Sequence, residues 1–253
     1  MSTRRIRVDA ALVQRGLAES VDAARALIDE GVVLANGSVV MTHSRQVAQS
    51  DELLVKPVDQ FVSRGGIKLE AALAAFNIDV SNQRALDAGA STGGFTDCLL
   101  QRGASEVVAV DVGKSQMHER VATNNRVVVI DTFNVRQLAD DTQDLPIPLR
   151  REFDLAVADL SFISLKSVSR ALTARLSRSG NLVVLVKPQF EATKLEVDKS
   201  QGVIADQAIR DRVVGEVNES FAEQGWVVRG CIESPIHGAE GNVEYLVWYR
   251  FEA

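Results

Sequence analysis

The sequence predicts an α/β protein: a doubly wound, mostly parallel seven-stranded sheet, preceded by a small α+β domain. Three observations carry this expectation. From about Phe61 onward, short apolar stretches alternate with helix-like runs. The first of these stretches enters a glycine-rich turn, Asp87-Ala-Gly-Ala-Ser-Thr-Gly-Gly-Phe95, that opens a helix-like run. Composition and charge change near Pro57. Residues 1–56 hold seven Lys/Arg and seven Asp/Glu, while the remainder holds 21 basic against 27 acidic residues and carries the whole net charge of −6.

In the first segment Val8, Leu12 and Val13 recur at helical spacing before Gly16. Ser20 suits the N-cap of a second helix that carries Ala24, Leu27 and Ile28 and ends at Gly31. Val32–Leu34, the Asn36-Gly37 pair and Val39-Val40 have a hairpin pattern, and Leu53–Val55 offers one more strand. Beyond the boundary the candidate strands are Ala85–Ala88, Val107–Asp111, Val127–Ile130, Leu155–Asp159, Leu182–Lys187, Val227–Cys231 and Tyr245–Tyr249. Helix-like segments are Leu69–Phe76, Gly94–Arg102, Ser115–Val121, Leu165–Leu176 and Asp206–Gln224. Strands this short and apolar are buried on both faces, so helices cover both sides of the sheet. Ligands of such sheets bind outside the carboxyl ends of the strands.

Composition narrows the class. The 253 residues suffice for one large or two ordinary domains, and 46% apolar with 25% charged residues is ordinary for a globular chain. No apolar run reaches the roughly 18–20 residues of a membrane helix. The basic start leads into Val8-Asp9-Ala10 and not a long apolar stretch, so a cytoplasmic protein without a secretory signal is expected. Cys98 and Cys231 read as buried free thiols of a reducing compartment, with no metal-ligand spacing around them. The acidic balance argues against nonspecific coating of nucleic acid, but leaves room for a local basic face.

The chemistry begins at the turn. Its glycines let backbone approach a ligand, and the helix that follows turns free N–H groups toward it. The spacing is not the dinucleotide fingerprint Gly-x-Gly-x-x-Gly, and an aspartate at its head followed by small residues suits S-adenosylmethionine better than NAD. Asp111, about 20 residues on, can accept both ribose hydroxyls of such a cofactor, and Asp131 can take the adenine amino group. Asp159 and Lys187 end the next two strands, so polar groups converge on one sheet edge. Lys68 opens a helix-like run, and Glu244 starts the last strand; taken singly, Lys68 reads better as a solvated helix residue and Glu244 as an edge-strand charge.

Five strings together resemble the TlyA/hemolysin A family of bacterial ribosomal RNA 2′-O-methyltransferases, whose catalytic domain is of the FtsJ (RrmJ) type. They are Ser63-Arg-Gly-Gly-Ile-Lys-Leu69, Leu86-Asp-Ala-Gly-Ala-Ser-Thr-Gly-Gly-Phe-Thr96, Ala158-Asp-Leu-Ser-Phe-Ile-Ser-Leu165, Val186-Lys-Pro-Gln-Phe-Glu191 and Gly241-Asn-Val-Glu-Tyr245. The resemblance spans essentially the full length. It implies a class I SAM-dependent methyltransferase, Rossmann-like, over residues 64–253, a linker at 57–63, and a small α+β RNA-binding domain at 1–56. The last resembles the module of ribosomal protein S-four through Arg7-Val-Asp9, Gly16, Ser20, Ala24 and Val33-Leu-Ala-Asn-Gly37.

The same resemblance implies a Lys-Asp-Lys-Glu tetrad at Lys68, Asp159, Lys187 and Glu244, with cytidine 2′-hydroxyls of ribosomal RNA or ribosomal subunits as substrate. It implies S-adenosylmethionine as cofactor, S-adenosylhomocysteine as product, no metal and no membrane partner. The ribose hydroxyl is a very weak acid, so its oxygen must be oriented and its proton removed as the methyl transfers. Lys187 is the candidate base, or a charged group that steers the oxygen's lone pair, and the carboxylates hold the two lysines in place. Candidate cofactor contacts are Asp87, Gly89, Ala90, Ser91, Thr92, Gly93, Gly94, Phe95, Asp111, Val112, Asp131, Asn134 and Asp159. Candidate RNA contacts are Arg4, Arg5, Arg7, Arg15, Arg25, Arg64 and Phe162, the last by stacking on a flipped base. The chain departs from the family at Asp59-Gln-Phe-Val62, where many members have Arg-x-Trp-Val, and at Glu19, Val21 and Met41, where many are basic; these changes remove phosphate-binding charge. Competing readings are a base N-methyltransferase, a non-enzymatic ribosome-assembly protein that binds RNA, and a membrane-lytic hemolysin. The last finds no cationic amphipathic helix.

Overall fold

The computed structural model describes residues 5–56, 60–238 and 240–252. The chain divides into two compact units, Met1–Asp59 and Gln60–Ala253.

In the first unit β1 (Arg5–Arg7) leads into α1 (Val8–Gln14) and α2 (Val21–Asp29), then β2 (Val33–Ala35), β3 (Ser38–Val39), β4 (Gln46–Ala48) and β5 (Leu53–Val55). Ser20 accepts a hydrogen bond from the Ala23 amide at 3.1 Å and so caps α2. Asn36 and Gly37 both take positive φ, 51° and 78°, which joins β2 to β3 by the tight turn their sequence suggests. β3, β2 and β5 form one sheet, and β1 pairs with β4 in another. Val8, Leu12, Ala24, Ile28, Val33 and Val47 are buried together between them. β1 and β4 have no counterpart in the sequence pattern. Each has three residues, as β2 and β5 do, but Arg5-Ile-Arg7 and Gln46-Val-Ala48 hold no apolar run and adjoin no Asn-Gly pair to mark them.

The second unit runs α3 (Gly65–Ala75), β6 (Arg84–Ala88), α4 (Gly94–Gln101), β7 (Glu106–Val110), α5 (Glu119–Ala122), β8 (Val127–Ile130), β9 (Phe153–Ala158), α6 (Ser169–Thr173), β10 (Leu176–Val186), α7 (Pro188–Glu191), α8 (Lys194–Lys199), α9 (Gln207–Ala222), β11 (Trp226–Glu233) and β12 (Tyr245–Phe251). The seven strands lie in the order β11-β12-β10-β9-β6-β7-β8. All pairs from β10 to β8 are parallel, and β12 is antiparallel to both of its neighbours. Both faces of the central strands β6, β7, β9 and β10 are buried, and residue parity decides which core a side chain joins. Leu86, Val108, Ala156 and Val184 enter one cluster with α6 and α9 residues such as Leu172 and Phe221. Ala85, Val107, Leu155 and Val183 enter the other with Leu69, Leu73 and Leu99 of α3 and α4.

Three element boundaries differ from expectation. The helix expected over Ser115–Val121 shrinks to α5, because Ser115 takes a left-handed φ of 53° and the extended His118 caps the helix only from Glu119. The run expected as one helix over Leu165–Leu176 is a 3₁₀ turn at Leu165–Ser167, the short α6, and then the start of β10. Residues 60–63, expected in a linker, pack on the second unit. Phe61 is buried, and the Val62 amide donates to Asp97 at 2.9 Å.

Candidate active site

Strand order reverses between β6 and β9, and there the loops after the two strands part to leave a crevice. The turn after β6 is shaped by backbone conformation. Gly89 and Gly93 have φ of 84° and 90°, and Ser91 has 46°. A Cβ on Gly89 would lie 2.6 Å from the Asp159 carbonyl oxygen, so only glycine lets the two loops approach this closely. Gly94 opens α4, and a Cβ there would lie 2.2 Å from Ser63 Oγ.

Two cavities open beside this turn. The first, about 440 Å³, extends from Gly89 and Ser91 past Asp111 and Val112 to Phe133–Arg136 and Leu160–Ile163. Asp111 holds its mouth in shape by accepting from the amides of Ser91 at 2.8 Å and Gly113 at 2.6 Å. Each of its oxygens keeps a further lone pair. The second cavity, about 390 Å³, is lined by Lys68, Asp159, Lys187 and Glu244 along with turn residues Ala90, Thr92, Gly94 and Phe95 and with Arg64. Four residues line both: Gly89, Ser91, Asp159 and Ser161.

The four tetrad candidates come from α3, the ends of β9 and β10, and the loop before β12, and they form two ion pairs. Lys68 Nζ donates to Glu244 Oε2 at 2.5 Å, with both side chains buried. Lys187 Nζ lies 2.6 Å from Asp159 Oδ1 and donates a hydrogen bond to Ser161 Oγ at 3.0 Å. Gly238 leaves room for the Glu244 carboxylate, since a Cβ there would lie 2.6 Å from Oε1. The loop that delivers Glu244 is tied down by buried Asn242, which donates to the Gly202 carbonyl at 2.8 Å and accepts from the Ile204 amide at 2.9 Å.

Some candidates lie elsewhere. Asp87 is fully buried beneath the turn and lines neither cavity; burial raises its pKa to about 7. Gly93 faces Met117 and Val121. Asp131 accepts from the Ser115 amide at 2.8 Å and lines neither cavity. Asn134 does line the first, while its side chain caps the next turn through the Arg136 amide. Phe162, expected to stack on RNA, lines the first cavity and not the second; it is 92% exposed, with a left-handed φ of 61° and its ring 5.2 Å from that of Phe190. Cys98 is buried as expected, but Cys231 is exposed. Arg4 lies outside the described residues.

The remaining arginines divide by occupation. Arg7 and Arg25 both bind buried Asp9, at 2.6 and 3.2 Å, and the Arg7 bond holds the Asp9 pKa down at about 2. Arg15 donates to the carbonyls of Asp51, Ala48 and Gln49. Arg5 and Arg64 are exposed and make no ion pair among the described residues. Among those residues no group of three or more His, Cys, Asp or Glu is placed to hold a metal, and no helix is long and apolar enough to cross a membrane.

Residues 61–251 match the family of FtsJ-like methyltransferases. The chain belongs to that family. Over 249 residues it is 45% identical to the 16S/23S rRNA (cytidine-2′-O)-methyltransferase TlyA of Mycobacterium tuberculosis (strain ATCC 25618 / H37Rv), covering 98% of this chain and 90% of that protein. It is 36% identical to Hemolysin A of Brachyspira hyodysenteriae, covering 96% and 99% of the two chains. A solved structure from Streptococcus thermophilus that carries a hemolysin name aligns with a TM-score of 0.71 at 35% identity, covering 99% of this chain and 90% of that one. The seven-stranded sheet is that of a class I methyltransferase.

In this FtsJ-like methyltransferase, several lining or supporting residues escape sequence reasoning. Ser161, Glu191 and Asn242 sit inside the motif strings and were open to notice; Glu191 binds Ser164 Oγ at 2.6 Å and the Leu165 amide at 2.7 Å, and burial raises its pKa. Gln116 and Arg136 line the first cavity from segments with no motif to mark them.

Proposed function

We propose that the protein transfers a methyl group from S-adenosylmethionine to the 2′-hydroxyl of a cytidine in ribosomal RNA, with residues 1–56 serving as an S-four-like RNA-binding domain. The observation that carries this reading is the pair of lysine–carboxylate contacts lining a cavity that shares four residues with the cavity over the glycine turn. The substrate class rests on similarity to a protein named as a 16S/23S rRNA (cytidine-2′-O)-methyltransferase.

The first cavity suits the cofactor. Gly89 gives the close backbone approach, Asp111 retains lone pairs for two ribose hydroxyls, and Val112, Phe133 and Ile163 offer apolar surface for a purine. When bound, S-adenosylmethionine supplies an electrophilic methyl group on a sulfonium. The protein's task is then to place one weakly acidic hydroxyl in line with it and to remove the hydroxyl's proton. Lys187 reaches the acceptor hydroxyl from the second cavity, fixed by Asp159 and Ser161. Lys68, fixed by Glu244, holds the other side of the ribose. The two ammonium groups and two carboxylates of the tetrad cancel in formal charge, so the backbone phosphates fall to Arg64, on the lining of the same cavity, and to arginines of the first unit.

The test is methyl incorporation into unmodified ribosomal subunits, with the product digested and the methyl located by mass spectrometry. A methyl on the ribose of cytidine is expected. Lys187→Ala is expected to lower the rate by about 100-fold or more, within the range of a lost acid–base or orienting group. A methyl on a base overturns the reading.

A further inference from the structure

We propose that Ser161 is a further catalytic residue, its hydroxyl binding the acceptor oxygen where the two cavities meet. This rests on the methyl-transfer reading above. If the donor occupies one cavity and the acceptor the other, the methyl crosses where they join. Gly89, Ser91, Asp159 and Ser161 bound that junction. Of these, Asp159 and Ser161 have side chains in contact with a tetrad lysine; Asp159 is itself a tetrad member, and Ser161 adds a hydroxyl whose Oγ accepts from Lys187 Nζ at 3.0 Å.

That bond uses one lone pair of the hydroxyl and leaves the other lone pair and the O–H for a ligand. Ser161 is exposed, so a ligand can reach them. The acceptor's own O–H donates into the remaining lone pair; as its oxygen bonds the methyl carbon and the carbon–sulfur bond breaks to leave the neutral thioether, that proton leaves along this hydrogen bond to solvent at the exposed serine. An oxygen whose hydrogen is held toward Ser161 presents its lone pairs along other directions, one of them toward the methyl. Ser161 forms no covalent bond; it fixes a direction.

An exposed loop serine ordinarily wanders, and here it is held on both sides. Upstream, Asp159 is paired to Lys187 at 2.6 Å. Downstream, Phe162 adopts a left-handed φ of 61°, strained for an aromatic residue, and packs on Phe190. Beyond it the buried Glu191 carboxylate receives Ser164 Oγ and the Leu165 amide, which ties the segment after β9 to the helix after β10. Lys187 is the N-cap residue of that helix, so serine and lysine are positioned by one shared clamp.

The experiment compares Ser161→Ala, Ser161→Thr and Lys187→Ala on unmodified ribosomal subunits, with cofactor affinity measured by calorimetry. Ser161→Ala is expected to lower kcat by about 10- to 100-fold while the Kd for S-adenosylmethionine stays within about threefold, and Ser161→Thr, which keeps the hydroxyl, recovers most of the rate. The proposal is overturned if Ser161→Ala keeps wild-type kcat, if alanine and threonine lose equally, or if the loss appears wholly in cofactor affinity. Should Lys187→Ala remain active, the parent reading falls. Should Lys187→Ala be inactive and Ser161→Ala normal, only the role of Ser161 falls.

Discussion

Asp87 occupies an uncommon position for a carboxyl group. It is fully buried under the glycine-rich turn, with Oδ2 accepting from Thr96 Oγ1 at 2.6 Å and Oδ1 without a hydrogen-bond partner among the described residues. Burial, reinforced by Asp159 and Asp111, raises its pKa from 3.8 to about 7. In the window between those values the folded chain keeps a proton that the unfolded chain releases. Stability from this group therefore falls as pH rises through the window and levels off above it. Asp87→Asn has the shape of the protonated acid and does not titrate. Relative to this variant, wild-type protein is expected to lose thermal stability from pH 5 to pH 7 and to run parallel to it above about pH 8. Parallel melting curves across the whole range would show that Asp87 is ionised throughout. The same residue shows why a motif position does not fix a role: the sequence put Asp87 among the cofactor contacts, while its side chain supports the turn from beneath.

Among elements, the decisive contact is the crossing of α3 and α4. Gly94 lets the two helix starts meet, since a Cβ there would lie 2.2 Å from Ser63 Oγ and 2.9 Å from the Gly66 amide nitrogen. Gly94→Ala is expected to lower stability by about 1–3 kcal/mol, the cost of overpacking, and to shift the turn that carries Gly89. Gly215, inside α9, is the control, because a Cβ added there would meet no atom of the described residues within 4 Å. Gly215→Ala is expected to stabilise by about 0.5–1 kcal/mol. Calorimetric melting of both variants checks the pair, and equal effects would refute the close-packing account. The elements that the sequence revealed are those whose local signal agrees with their packing. β6, β7, β8 and β9 are short apolar runs within the sheet, and α2 has its capping serine. What it concealed was decided by distant partners. β1 exists because Gln46–Ala48 lies alongside it, and Leu176 joins β10 because Phe153 is across from it. Likewise the site's lysines and carboxylates were visible singly, but their pairing joins Lys68 to a glutamate 176 residues away, which no local pattern encodes.

For the molecule as a whole, the proposed RNA substrate raises the question of how an acidic chain would hold a polyanion. The first unit has as many acidic as basic residues over 1–56, so affinity must come from which arginines are free and not from net charge. Arg7, Arg15 and Arg25 are engaged in holding Asp9 and the carbonyls around β4 and β5. Replacing them should disturb the fold of the unit together with any RNA contact. Arg5 and Arg64 have no such duty among the described residues. Arg5→Ala and Arg64→Ala are therefore expected to leave the melting temperature unchanged and to weaken binding to unmodified ribosomal subunits. Each should reduce the slope of log K against log salt by about 0.7–0.9, the value for one lost phosphate contact. Arg7→Ala, by contrast, should lower the melting temperature, because it strips buried Asp9 of its strongest partner. A filter-binding titration over several salt concentrations, run beside melting curves, separates the two groups. If Arg7→Ala changed only the salt slope and Arg5→Ala only the stability, the division between structural and RNA-facing arginines would be reversed.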